Sequence, residues 1–229
     1  DAEVAAMTAL SGVSSSTRIR DGQYSITTLE EFEQFAEMSR AAKIQGGEFV
    51  LGADIDLSSY SAGEGFIPIA AGINSSADFK CEFNGNGHTI SNLYINRTDT
   101  DNVGLFSIMC DVKNLCLTNV DVIGGKYTGA LMGYTFSNSQ VSNCYIASGS
   151  VKGTTCVGGL GGRFSGINGI LNCYSDAEVS GETKAGGLLG ETYLPNGSVI
   201  NSFSHSNVTA SSDYAGGLIG CTESVRLEN

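Results

Sequence analysis

The chain has 229 residues and a mass of 23.8 kDa, enough for one large domain with a sizeable core. Charged residues make up 16% against a usual ~25%, which excludes a disordered polyelectrolyte; 31 glycines with two prolines and no G-X-Y period exclude collagen and Pro-rich linkers. Acidic residues outnumber basic ones 24 to 12, a formal charge of −12, so the clustered Lys and Arg that nucleic acid or an anionic bilayer needs are missing, and no apolar run approaches the ~18 residues of a membrane span.

In chain order, residues 1–22 are small and polar and read as a flexible leader. They have no basic n-region or apolar h-region, which fits either a mature exported chain with its signal peptide removed or an arbitrary boundary. Thr28-Leu29-Glu30-Glu31 is a capping box, and Leu29, Phe32, Phe35, Ala36 and Ser39 share one face, so a helix is predicted over about 29–42, ended by Gly46-Gly47. Residues 49–57 and 66–69 predict early strands. Phe79, Cys81 and Phe83 alternate before the turn Asn84-Gly85-Asn86-Gly87.

From there the chain repeats. A Gly-rich tract recurs with central leucines at 105, 131, 160, 188 and 218, spaced by 26, 29, 28 and 30 residues. An asparagine column runs in phase: Asn92, Asn114, Asn143, Asn172 and Asn201, spaced by 22, 29, 29 and 29. A third column holds Val122, Val151, Val179 and Val208. Apolar residues come in bursts of three to six, β-branched and aromatic, separated by Gly, Ser, Asn and Thr, which reads as short strands rather than helices. A returning residue type at one position of each repeat predicts a β-solenoid, one coil per repeat, each strand pairing in parallel with its counterpart ~4.8 Å away. Strand parity breaks at the asparagines, which places them at corners; Asn tolerates left-handed backbone and can bond along a stack of identical amides. The glycines allow tight bends and close approach between coils. The final Val225-Arg226-Leu227 fits the start of a further coil, and the tube is expected to continue beyond 229.

There are seven cysteines, Cys81, Cys110, Cys116, Cys144, Cys156, Cys173 and Cys221, without CxxC spacing, so buried thiols are expected rather than a zinc site. Cys144 and Cys173 share a column in adjacent coils. Stacking brings them within disulfide range, but in-register parallel neighbours aim the same way, so two thiols are favoured. Cys116 falls in the aromatic column of Tyr94, Tyr145, Tyr174 and Phe203.

Asn143-Cys144-Tyr145, Val151-Lys152-Gly153 and Val157-Gly158-Gly159-Leu160 together resemble one GLUG repeat. Asn172-Cys173-Tyr174 with Gly186-Gly187-Leu188-Leu189-Gly190 resembles the next. The stretches 51–57, 66–69 and 83–93 are similar to the opening region of such proteins, so the resemblance covers about 24–229. It implies an all-β fold, a single-stranded right-handed parallel β-helix, which we divide into a helical cap over 23–48, opening coils over 49–91 and GLUG-type repeats over 92–229. It also implies a large exported bacterial surface protein, adhesin-like or a non-catalytic part of an immunoglobulin A-specific metallopeptidase. The resemblance supplies no catalytic residue, and the zinc motif HExxH is missing from this sequence.

Candidate chemistry is sparse. His88 and His205 are the two histidines, and His88 reads as a turn residue. Carbohydrate-active β-helices need converging carboxylates or a carboxylate-bound metal. Asp54 with Asp56, and Asp99 with Asp101, are the pairs to consider; the first reads as capping or turn-forming, the second as a solvated loop, with a weak calcium site as its alternative. No cofactor, metal site or catalytic residue is expected. The 22-residue step from Asn92 to Asn114 is shorter than later ones, so the extra residues are expected in wider loops at 134–139, 163–168 and 191–197. Loops carry binding sites, which makes Tyr134, Phe136, Asn138, Arg163, Phe164, Tyr193 and Asn196 candidate ligand contacts. The expected role is non-catalytic binding of a glycan or host surface protein by a secreted or cell-surface module. The alternatives are a structural spacer and, third, a carbohydrate-active enzyme.

Overall fold

A computed structural model describes residues 7–74, 79–108, 111–135, 139–166 and 168–228. The fold is a parallel β-solenoid. One sheet carries the register Tyr24, Phe49, Phe83, Val112, Val141, Ile170, Val199, Leu227, each residue level with the next one coil away. A second wall carries Ile95, Val122, Val151, Val179 and Val208. A third carries Phe106, Met132, Gly161, Leu189 and Ile219. The tract leucines hydrogen-bond coil to coil: Leu131 N to Leu160 O (3.0 Å), Leu160 N to Leu188 O (2.9 Å) and Leu188 N to Leu218 O (2.9 Å). The valine and leucine columns line the tube, as their spacing requires, and one apolar core runs from Leu10 to Val199.

The helix Leu29–Arg40 closes the N-terminal part of this core. Phe35 packs 4.6 Å from the Phe49 ring and 5.4 Å from Phe83, and Phe32 stacks 5.8 Å from Phe66. Thr28 Oγ1 accepts from Glu31 N (3.2 Å), the first half of the capping box. The Glu31 carboxylate reaches past the cap, accepting from Thr27 N (2.7 Å) and from the Ser11 hydroxyl (2.7 Å). Residues 7–22 therefore correct the expectation of a flexible leader. Thr8–Ala9 pairs with Gln23–Ile26, Ile19 bridges Ile44, and Leu10 and Ile19 are buried; the few apolar residues of this polar stretch are the ones that anchor it.

The asparagine column is a hydrogen-bonded ladder. Asn114 donates to Asn84 (3.1 Å), Asn143 to Asn114 (2.9 Å), Asn172 to Asn143 (3.0 Å) and Asn201 to Asn172 (3.2 Å). Below Asn84 the rungs continue through Glu48 to Gln23. Asn92 is not in this ladder. It stands at the next corner, where it accepts from Asn119 and donates to Asp56 (2.7 Å). The 22-residue step thus joined two different corners, and the true rungs span 27 and 30 residues. Tyr94 follows Asn92 out of the aromatic column and lies level with Asp121.

A further left-handed corner carries no common residue type: Asn102, Tyr127, Cys156, Lys184 and Tyr214, with φ of 57°, 61°, 58°, 54° and 63°. The Gly-rich tracts explain how the tube accommodates it. A Cβ on Gly133, Gly162, Gly190 or Gly220 would overlap the backbone of Asn102, Tyr127, Cys156 or Lys184, respectively, one coil earlier.

Candidate functional site

Among the described residues, strands take in part of each predicted wide loop: Tyr134 ends the strand Met132–Tyr134. Arg163 and Phe164 lie in Gly161–Ser165, and Tyr193 in Leu189–Ile200. Strand alternation then sets each side chain's direction. Arg163 points out. Phe164 points in and is 0% exposed, so it belongs to the core and offers no ligand contact. Tyr193 is 43% exposed. Phe136 and Asn138 lie outside the described residues, as does the side chain of Asn196.

Tyr134, Arg163 and Glu191 stand level on successive coils. The Arg163 guanidinium lies 5.8 Å from the centroids of both Tyr127 and Tyr134, whose rings are 5.5 Å apart. Its Nη1 donates to Tyr127 Oη (3.3 Å), and its Nε lies 3.3 Å from Glu191 Oε2. Lys184 holds the other Glu191 oxygen. Burial opposes ionisation of Glu191, but the Lys184 hydrogen bond and the Arg163 charge hold its carboxyl below the usual range. Two of the expected contacts, Tyr134 and Arg163, thus come together with Tyr127, Lys184 and Glu191, which sequence reasoning missed. Residues from separate repeats meet here through register, and only a correct coil alignment could have paired them. Cys156, beside Glu191, is pushed up to about 12 by burial and then by the Glu191 charge; a thiol protonated at neutral pH is a poor nucleophile.

Tyr145, Tyr174 and Phe203 form an outward stack, with centroids 4.7 and 5.2 Å apart and planes 26° and 8° from parallel; Cys116 lies level with Tyr145. Ring faces in such a stack cover one another, so only edges reach solvent along its length. Phe203, at the end, is 47% exposed.

The carboxylates are engaged as well. Asp54 accepts from Thr89 N (2.9 Å) and contacts His88 Nδ1 (3.1 Å); Asp56 accepts from Asn92 and from Ser58 N (2.9 Å). Asp54 precedes the short strand Ile55–Asp56 and Asp56 ends it, and both carboxylates accept hydrogen bonds from the next coil. Asp101 accepts from Lys126 N (2.9 Å). Glu82 and Asp111 lie level on adjacent coils beside a recess of about 230 Å³. Lys113 binds Glu82 and Glu48 (3.4 Å), and Asp111 accepts from Gln140 N (2.8 Å). Burial raises the Asp111 carboxyl. These two carboxylates stand on one wall, one coil apart. Among the described residues no group of three His, Cys, Asp or Glu is placed to hold a metal ion, and no helix is long and apolar enough to cross a membrane. Cys144 and Cys173 are free, buried thiols, one above the other.

No family model matches the chain. Over 160 residues, 66% of its length, it is 36% identical to halomucin of Haloquadratum walsbyi. Over 100 residues, 42% of its length, it is 38% identical to a protein of Evansella cellulosilytica provisionally named a Gly-rich membrane protein. The chain spans 2% and 11% of these relatives. Its fold is similar to the crystal structure of a Bacteroides ovatus protein described as a candidate immunoglobulin A1 protease, with a TM-score of 0.73 over 90% of this chain and 64% of that one. At 22% identity the likeness is one of fold alone.

Proposed function

We propose that the chain is a module of an exported surface protein of the GLUG-repeat type and that it binds a glycan or a host surface protein without catalysis. The observation that carries this reading is the use made of the reactive groups. Among the described residues, the carboxylates that stand near one another, Glu82 with Asp111 and Asp54 with Asp56, are tied to amides, lysine, histidine or backbone N–H groups across coils. What remains is a long polar wall suited to recognition. The names of the two relatives, a halomucin and a membrane protein, agree with a place at the cell surface.

A spacer reading also has an observation in its favour. The chain spans 2% of halomucin, and its coils repeat one asparagine rung from Asn84 to Asn201. The test is retention of the purified chain on immobilised glycans and matrix proteins. Saturable retention that a soluble form of the same ligand competes away is expected. Passage through every surface without retention would overturn the binding reading and leave the spacer.

A further inference from the structure

Eight described asparagines hold left-handed backbone: Asn86, Asn92, Asn102, Asn114, Asn119, Asn143, Asn172 and Asn201. Seven of them use their side chains. Asn86 donates to Leu51 O, Asn92 and Asn119 bond to each other, and the other four belong to the ladder. Asn102 has no side-chain partner. Its column continues with Tyr127, which carries no amide, so no rung can form above it.

Asn102 lines a recess of about 240 Å³ between the 67–74 segment and the 97–102 turn. Its apolar lining comes from Ile67, Pro68 and Ile73, and Ile67 is 44% exposed. Its polar lining comes from Asn74, Arg97, Thr100, Asp101, Asn102 and Ser107, with the Asp101 carboxylate accepting from Lys126 N. One end of the Arg97 guanidinium is tied to Glu64 (2.5 Å), while its Nε–H has no acceptor. A half-buried amide and a guanidinium with donors to spare, in one recess with an apolar lining, match a sugar ring, which has C–H faces and a hydroxyl rim. The volume suits one ring rather than an extended chain.

We propose that this recess is a carbohydrate subsite taking one pyranose ring, with Ile67 and Pro68 beneath the C–H face and Asn102 and Arg97 hydrogen-bonding its hydroxyls. This rests on the binding reading above and narrows it to a glycan and a place. The Asn102 amide both donates and accepts, so it can pair with two neighbouring hydroxyls, while Arg97 only donates.

The test uses the full chain and a panel of methyl pyranosides, read by saturation-transfer NMR and by competition against immobilised glycans. Asn102→Gly keeps the left-handed backbone and removes the amide; Thr100→Val removes the lining hydroxyl at nearly constant volume. We expect at least one pyranoside to bind, and its affinity to fall about tenfold in Asn102→Gly with the unfolding temperature unchanged, the size of one or two lost hydrogen bonds. Glycan retention unchanged in both variants would overturn the subsite and leave the binding reading intact. Retention by a matrix protein but by no glycan would overturn the subsite alone. No retention by any surface would overturn both.

Discussion

Asn143 donates its side-chain amide to Asn114 Oδ1, one coil away, at 2.9 Å, while both residues hold left-handed backbone at φ 52° and 55°. One residue type thus does two tasks at this corner. It tolerates the bend, and its amide adds a side-chain link to the main-chain bonds between coils. The two contributions separate by substitution. Asn143→Gly keeps the bend and loses two ladder bonds, for a cost of about 1–2 kcal/mol. Asn143→Ala loses the bonds and adds a left-handed penalty of ~1–2 kcal/mol, so it should be the less stable of the two. Urea unfolding of both variants checks the order; equal stabilities would mean that the bend carries no strain.

The glycines should differ sharply by position. A Cβ at Gly190 would overlap the Cys156 backbone, whereas at Gly12 nothing lies within 4 Å. Gly190→Ala is expected to destabilise by roughly 3 kcal/mol or more, because backbone rather than a movable side chain must give way. Gly12→Ala should stay within about 0.5 kcal/mol of the parent. Thermal unfolding of the pair decides it.

Glu31 predicts an acid dependence. Burial opposes its charge, but hydrogen bonds from Ser11 and Thr27 hold its carboxyl at about 2 against an ordinary 4.5. A carboxyl depressed on folding adds stability that is complete above the ordinary value and is lost as pH falls towards the folded one. Glu31→Gln should therefore lower stability by on the order of 2 kcal/mol at pH 7, and the gap to the parent should close between about pH 5 and pH 2. Denaturant titrations at several pH values would show a constant gap if Glu31 were not the group responsible.

Cysteine reactivity should follow depth. Cys144 and Cys173 are buried, and burial, then the neighbouring Cys173 thiol, pushes Cys144 well up. Cys116 and Cys221 are half-exposed. Among the described cysteines, alkylation of the native chain followed by peptide mass analysis should label Cys116 and Cys221 first, with Cys144 and Cys173 modified only on unfolding. A Cys144–Cys173 disulfide under non-reducing conditions would contradict the stacked-thiol arrangement.

Much of this architecture was legible because solenoid columns repeat residue types. The leucines at 131, 160, 188 and 218 and the asparagines from 114 to 201 fall one coil apart as their spacing requires. The helix follows from its cap and apolar face. Legibility ends where two corners carry similar words. Ile90-Ser91-Asn92-Leu93 reads like Val112-Lys113-Asn114-Leu115, yet Asn84 is the true rung below Asn114, and only pairing with Glu48 and Asn114 identifies it. The corner through Asn102, Tyr127, Cys156, Lys184 and Tyr214 left no residue signature, because the glycines of the following coil make room for it. Phe164 was misplaced for a related reason. A short Gly-Gly-Arg-Phe-Ser stretch looks like loop, and only its pairing with Leu189–Ile200 shows a strand with Phe164 inward.

Recognition without chemistry is tested by prolonged incubation of the chain with a panel of soluble polysaccharides, with new reducing ends and new unsaturated uronides recorded over time. No release is expected from any polysaccharide, including those the chain retains. Release by the parent chain that disappears in Glu82→Gln or Asp111→Asn would contradict it and make the recess beside Lys113 an active site.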